Sequence, residues 1–236
     1  HRLFQSGGRQ LIETHFTALQ NIVESLPREP LQRLVQIGSS DEYGNNPSPQ
    51  SELLREEPIS PYSLAKVAST HFLQMLHRTE DFPAVILRLF LTYGPGQDVQ
   101  RFLPQVILGC LKNNEFPTTS GEQFRDFCYV GDTVEAILTS LHSENADGRV
   151  FNVASGCPIS IRTMIEQVRD LIGKGKPGFG LISHRVGENM SLYADVSCIR
   201  DTLNWEPKVG LEEGLRKTIN WYAQQHGVVD LLVNYL

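Results

Sequence analysis

The chain has 236 residues, 40% hydrophobic and 20% charged, an ordinary globular composition that suffices for one large domain or two small ones sharing a core. A net charge of −6 argues against a nucleic-acid partner, and no run approaches the ~20 apolar residues of a membrane span. The opening HRLFQSGGRQ lacks the apolar core of a secretory signal, and four dispersed cysteines form no C-x-x-C pair, so the expectation is a cytoplasmic protein with reduced thiols, no metal site and no disulfide framework.

Helical and extended patterns alternate, which predicts an α/β fold with a largely parallel sheet. From about Gln10 to Leu26, apolar residues at Leu11, Ile12, Phe16, Leu19, Ile22, Val23 and Leu26 fall at helical spacing. Leu34 to Ile37 reads as a short buried strand ending in Gly38-Ser39-Ser40, followed by a polar, proline-bearing loop from Gly44 to Ile59. Ser60-Pro61 then opens a helix, a serine cap with proline at the first helical position, and the helix runs to about Arg78. Ala84 to Phe90 reads as a second buried strand.

Past Tyr93-Gly94-Pro95-Gly96 the segments shorten. Helices are predicted over Arg101 to Asn113, Asp132 to Leu141, Ile161 to Ile172 and Leu211 to Gln225, and strands over Phe127 to Val130 and Val150 to Val153. Gly173, Gly175 and Gly178 spell G-x-G-x-x-G but follow a helix, so they read as a loop rather than a dinucleotide fingerprint, which must sit between strand and helix.

Tyr62 and Lys66 are four residues apart on the helix opened by Ser60, so they share one face. An ammonium near a phenol favours the phenolate, and the expectation is that Lys66 lowers the proton affinity of Tyr62 from the usual ~10. Such a tyrosine can exchange a proton with a sugar oxygen while a nicotinamide exchanges hydride with the attached carbon. Ser39 and Ser40 end the preceding strand, where ligands of open α/β sheets bind. Tyr-x-x-x-Lys alone is a weak signal, since it occurs by chance in many helices.

The segments IGSSDEYG, SPYSLAK, LRLFLTYGPGQ, EQFRDFCYVGD, FNVASG, HRVGE and LNWEPKVGLEEGL occur in this order between about Leu11 and Tyr222. The set resembles the extended short-chain dehydrogenases/reductases acting on nucleotide sugars: epimerases, 4,6-dehydratases and 4-keto reductases. The resemblance implies a Rossmann-like sheet with a smaller C-terminal substrate lobe. Residues 1–93 would form a partial dinucleotide-binding domain carrying the catalytic residues, and 94–236 mainly the nucleotide-sugar lobe, with about 131–154 returning to the sheet. It further implies catalysis by Ser39, Tyr62 and Lys66, with NAD or NADP against Tyr62, Lys66, Gly38 and Leu89. Substrate would meet Ser39 and Ser40, with Arg125 and Arg185 on the nucleotide diphosphate, a role that suits guanidinium groups. Glu188 and Asp132 read as local structural partners. Helices matching Gln10–Leu26 and Ser60–Arg78 pair across a homodimer in this family.

Three departures accompany the resemblance. No strand, glycine-rich turn and helix unit is present, so the sequence resembles a family member joined partway, after the fourth strand. Its N-terminal strands are missing from the pattern, and Leu34 to Ile37 is expected to present an unpaired apolar edge. Leu91 stands where many members carry a substrate-contacting asparagine. The Asp-Glu pair of the dehydratases is Ser40-Asp41 here, which counts against 4,6-dehydration. The favoured reading is an NAD(P)-dependent 4-keto reductase on a nucleotide sugar, with a 4-epimerase as the alternative. From a different class, a truncated, non-catalytic remnant that binds no dinucleotide competes with both. The expectation is that the full gene product is an enzyme while these 236 residues alone are inactive.

Overall fold

The computed structural model describes residues 4–184 and 187–227. The chain enters through α1 (Gly8–Ile12) and α2 (Ala18–Ser25), joined by a π-helical turn over Glu13–Thr17. The sequence reads as one uninterrupted helix here; the widened turn leaves the apolar spacing little changed, so periodicity does not disclose it. Then come β1 (Leu34–Ser39), α3 (Pro61–Glu80), β2 (Ala84–Leu89), β3 (Leu91–Tyr93) and α4 (Phe102–Leu111). They are followed by β4 (Glu115–Pro117), β5 (Phe124–Tyr129), α5 (Val130–His142), β6 (Val150–Val153) and β7 (Pro158–Ser160). The remainder is α6 (Ile161–Ile172), β8 (Lys176–Gly178), β9 (Ser191–Leu192), α7 (Ser197–Leu203) and α8 (Leu211–Gln225).

β1, β2 and β6 form a parallel sheet in that order, with Ser39 beside Leu89 and Leu89 beside Val153. The central strand β2 is apolar from Ala84 to Leu87 because both faces are covered, and the buried Arg88 that follows is the charged exception. Its alternate residues serve opposite faces. Ala84 and Ile86 pack with Leu19 and Val23 of α2 and Leu73 and Leu76 of α3. Val85 and Leu87 pack with Ala136 of α5 and Ile199 and Leu203 of α7. Among the described residues β1 has β2 as its strand neighbour, and Ile37 is 36% exposed, so the anticipated apolar edge is present.

A second sheet orders β3, β5 and β7, with β9 also on β5, and β4 pairs with β8. Helices α4, α6 and α8 close a separate core around Ile107, Met164, Ile165 and Leu215. The predicted strand at Phe127 to Val130 is longer toward its start, and Val130 already belongs to α5. Gly173 ends α6 at a φ of 76°, and Gly178 lies in β8, so the G-x-G-x-x-G match straddles a helix end and a short strand. Among the described residues no helix is long and apolar enough to cross a membrane.

Candidate active site

The carboxyl ends of β1 and β2 open into a cavity of about 2210 Å³. Gly38, Ser39 and Ser40 line it from β1 and the turn after it, Leu89 from the end of β2, Tyr62 from α3 and Arg125 from β5. Lys66 lies behind this wall, 8% exposed, and Arg185 falls outside the described residues.

Each side chain is placed by local structure. Ser39 is in extended conformation and caps a short 3₁₀ turn over Ser40–Tyr43, its hydroxyl accepting from the Asp41 N–H at 3.1 Å. Ser60 caps α3 by accepting from the Ser63 N–H at 3.0 Å, while the Ser63 hydroxyl accepts from the Ser60 N–H at 2.9 Å. Pro61 takes the position where a missing N–H costs nothing. Tyr62 is thereby the second residue of α3, and Lys66 follows one turn later.

The electrostatics correct one expectation. Burial raises the proton affinity of Tyr62 above the ordinary phenol value; a hydrogen bond with Ser39 opposes this, Asp41 and Glu42 add to it, and Arg101 opposes it. Burial outweighs whatever the positive charges nearby contribute: the Lys66 ammonium donates to the Ile37 carbonyl at 2.8 Å and sits 5.7 Å from the centre of the Tyr62 ring. Burial lowers the proton affinity of Lys66 itself, against the pull of Glu42.

Arg125 donates to Glu188 at 2.9 Å and to the Phe124 carbonyl at 2.7 Å. Burial lowers its proton affinity and Glu188 opposes that. Glu188 also faces His184 Nδ1 at 3.5 Å. Asp132 accepts from the Lys208 and Val209 N–H groups at 3.0 and 3.1 Å, tying the start of α5 to the segment before α8. Leu91, 38% exposed, presents an apolar side chain to the cavity.

Three residues near Tyr62 (Arg101, His15 and Glu42) escaped the sequence reading, and Asp41 entered it only as a departure from the dehydratases. Asp41 and Arg101 line the cavity; burial raises the proton affinity of Asp41 and Arg101 opposes it. His15, in the π turn, meets Tyr62 edge-on at 5.0 Å and 86°, its proton affinity lowered by burial and then by Lys66. Glu42 is fully buried beneath Ser39. A signal for Glu42 was available: Ser39-Ser40-Asp41-Glu42 is an S-x-x-E capping box. Nothing in the sequence marks His15.

The profile of the NAD dependent epimerase/dehydratase family matches residues 5–154. UDP-glucuronate 4-epimerase of Thermodesulfobacterium geofontis (strain OPF15) is 29% identical over 219 residues, 89% of this chain and 65% of the relative. dTDP-glucose 4,6-dehydratase 1 of Escherichia coli (strain K12) is 27% identical over 217 residues, 84% of this chain and 60% of the relative. The chain thus spans less than two thirds of the length of these relatives. The crystal structure of Thermotoga maritima UDP-glucose 4-epimerase with UDP-glucose is similar at a TM-score of 0.86 and 26% identity, over 93% of this chain and 74% of that one. UDP-glucuronic acid 4-epimerase from Bacillus cereus, in complex with UDP-glucuronic acid and NAD, gives 0.83 and 28%, over 91% and 68%. The profile covers more than half of the sequence and the likeness of fold extends over nearly all of it: the chain belongs to the NAD dependent epimerase/dehydratase family.

Proposed function

We propose that the chain carries the proton-transfer centre of an NAD-dependent oxidoreductase acting at C4 of a nucleotide sugar, most simply as a 4-keto reductase. The observation that carries this reading is the shared cavity wall: Ser39 and Tyr62 side by side at the strand ends, with Lys66 immediately behind. Gly38 and Leu89 fit the reacting end of a dinucleotide, since both line the mouth of the sheet where such cofactors lie. When bound, NAD supplies or accepts the hydride at the sugar carbon. In the reducing direction Tyr62 gives its phenolic proton to the sugar oxygen, and Ser39 donates a hydrogen bond to the same oxygen. A phenol whose proton affinity is raised by burial is protonated in neutral water, which suits a proton donor. Lys66 keeps a positive charge beside the phenolate left behind, which then regains its proton from solvent. Arg125 would exchange part of its contact with Glu188 for the diphosphate.

A second reading, 4-epimerisation, is supported by the relatives named UDP-glucuronate and UDP-glucose 4-epimerase. It uses the same three side chains in both directions on one sugar. The NAD in the Bacillus cereus structure supports NAD over NADP. A homodimer through α2 and α3 is supported by Ile22, Leu64 and Met75, exposed by 52%, 50% and 40%.

Titration with NADH, NADPH and UDP-glucose, followed by isotope exchange between labelled NADH and the sugar C4 in the presence of NAD, tests the reading. Binding of NADH with exchange that Tyr62→Phe abolishes supports it. No dinucleotide binding at all would favour a non-catalytic relative.

A further inference from the structure

Glu42 is 0% exposed, and its carboxylate makes three contacts on three different elements. One oxygen accepts from the Ser39 N–H at 2.9 Å. The other accepts from Arg88 Nε at 2.9 Å and from the Thr70 hydroxyl at 2.8 Å. Thr70 stands one turn beyond Lys66 on α3, and Arg88 immediately precedes Leu89 on β2. The carboxylate therefore joins the β1 turn, the helix and the strand whose ends form the wall of the cavity.

In an ordinary capping box the glutamate closes one turn, and its second oxygen is available to solvent. Here that oxygen is turned into the core. Gly38 makes the fold-back possible, because a Cβ there would come within 2.7 Å of Glu42 Oε1 and 3.3 Å of Arg88 Cγ. Arg88, itself 0% exposed, already has a second carboxylate in Glu56 at 2.5 Å and lies over the Tyr43 ring at 4.6 Å. Neutralising the guanidinium takes one carboxylate; the second one reaches the Ser39 turn.

We propose that Glu42 is a positioning residue for this centre, clamping the Ser39 turn to α3 and β2 so that Ser39 and Tyr62 face the same point in the cavity. The proposal rests on the roles given above to Ser39 and Tyr62. Its charge also acts on both members of the tyrosine–lysine pair, favouring the protonated form of each. The other groups facing Tyr62 are Ser39, Asp41, Arg101, Lys66 and the His15 ring.

The test needs neither sugar nor dinucleotide. Tyr62 is titrated by NMR in the chain labelled with ¹³Cζ-tyrosine, the resonance being assigned with Tyr62→Phe. Glu42→Gln is expected to lower the Tyr62 midpoint, whereas Glu56→Gln, which takes a carboxylate from the same arginine without touching the Ser39 turn, leaves it in place. Thr70→Val, in which the α3 link alone is cut, is expected to speed amide exchange at Ser39 about tenfold, the size of a lost hydrogen bond to a charged group. This variant carries the test if Glu42→Gln does not fold. An unmoved Tyr62 midpoint in Glu42→Gln, an equal shift in Glu56→Gln, or unchanged Ser39 exchange in Thr70→Val would each overturn the clamp. Failure of the enzymatic reading shows separately, as absent binding of NADH and UDP-glucose with the Tyr62 shift intact.

Discussion

The ammonium of Lys66 is bonded to the Ile37 carbonyl at 2.8 Å and stands 5.7 Å from the centre of the Tyr62 ring, so its charge lies beside the phenol face and its hydrogen bond goes to the edge strand. Burial makes Tyr62 keep its proton more tightly in the folded chain than in the unfolded one. A raised proton affinity contributes stability that is complete below the unfolded value of about 10 and is lost as pH rises through the higher folded value. Thermal unfolding between pH 9 and 12 is expected to fall more steeply for the wild type than for Tyr62→Phe. Parallel curves would show that Tyr62 titrates as an exposed phenol.

Lys66→Met separates function from stability. Burial disfavours the lysine charge, and methionine fills similar space without it. The melting temperature is expected to stay within about 4 °C of wild type, the effect of roughly 1 kcal/mol. Turnover is expected to fall by on the order of 10²-fold or more, the scale of a lost contribution to acid–base catalysis. A large loss of stability with unaltered turnover would assign Lys66 to structure alone.

Arg88 is the charge on which the wall depends. Arg88→Met leaves Glu42 and Glu56 without their shared cation, and urea unfolding should show a loss of about 3–5 kcal/mol. Glu56 adds a pH signature. Burial alone would raise its proton affinity, but the hydrogen bond and charge of Arg88 bring it below the ordinary value. Its stabilisation is therefore present above the unfolded value of about 4.3 and is lost as pH falls through the lower folded one. In Glu56→Gln the acid limb of the stability curve between pH 5 and 3 should flatten; an identical limb would contradict the pairing.

Arg125 is half-buried against Glu188, with its guanidinium at the cavity. Arg125→Met is expected to weaken UDP binding by about 10- to 100-fold, the range of one lost charge-assisted hydrogen bond. Calorimetry with UDP measures this directly, and unchanged affinity would remove Arg125 from the nucleotide site.

Much of this arrangement was legible in the sequence where a pattern repeats. The Tyr62–Lys66 spacing, the Ser60-Pro61 cap and the apolar runs of β1, β2 and β6 have a period or a fixed offset to read. Strands of two or three residues, such as β3, β7 and β9, have none, because their place is set by the partner strand β5. The direction of the Tyr62 shift was missed because spacing shows which groups are near but not how deeply they are buried. The pairing of Glu42 with Arg88 was not legible, because the sequence shows a capping turn and a buried strand but not that the sheet brings their charges together. His15 reaches Tyr62 through a π turn that leaves helical periodicity almost unchanged.

The central claim is that Tyr62 moves the proton when hydride moves at the sugar C4. The most direct measurement is the rate of the 340 nm absorbance change when the protein and its Tyr62→Phe variant are each mixed with NAD and UDP-glucose, with UDP affinity measured in parallel. The account predicts a rate lowered by about 10²-fold or more in the variant, with UDP affinity unchanged. Equal, measurable rates in the two proteins would contradict it.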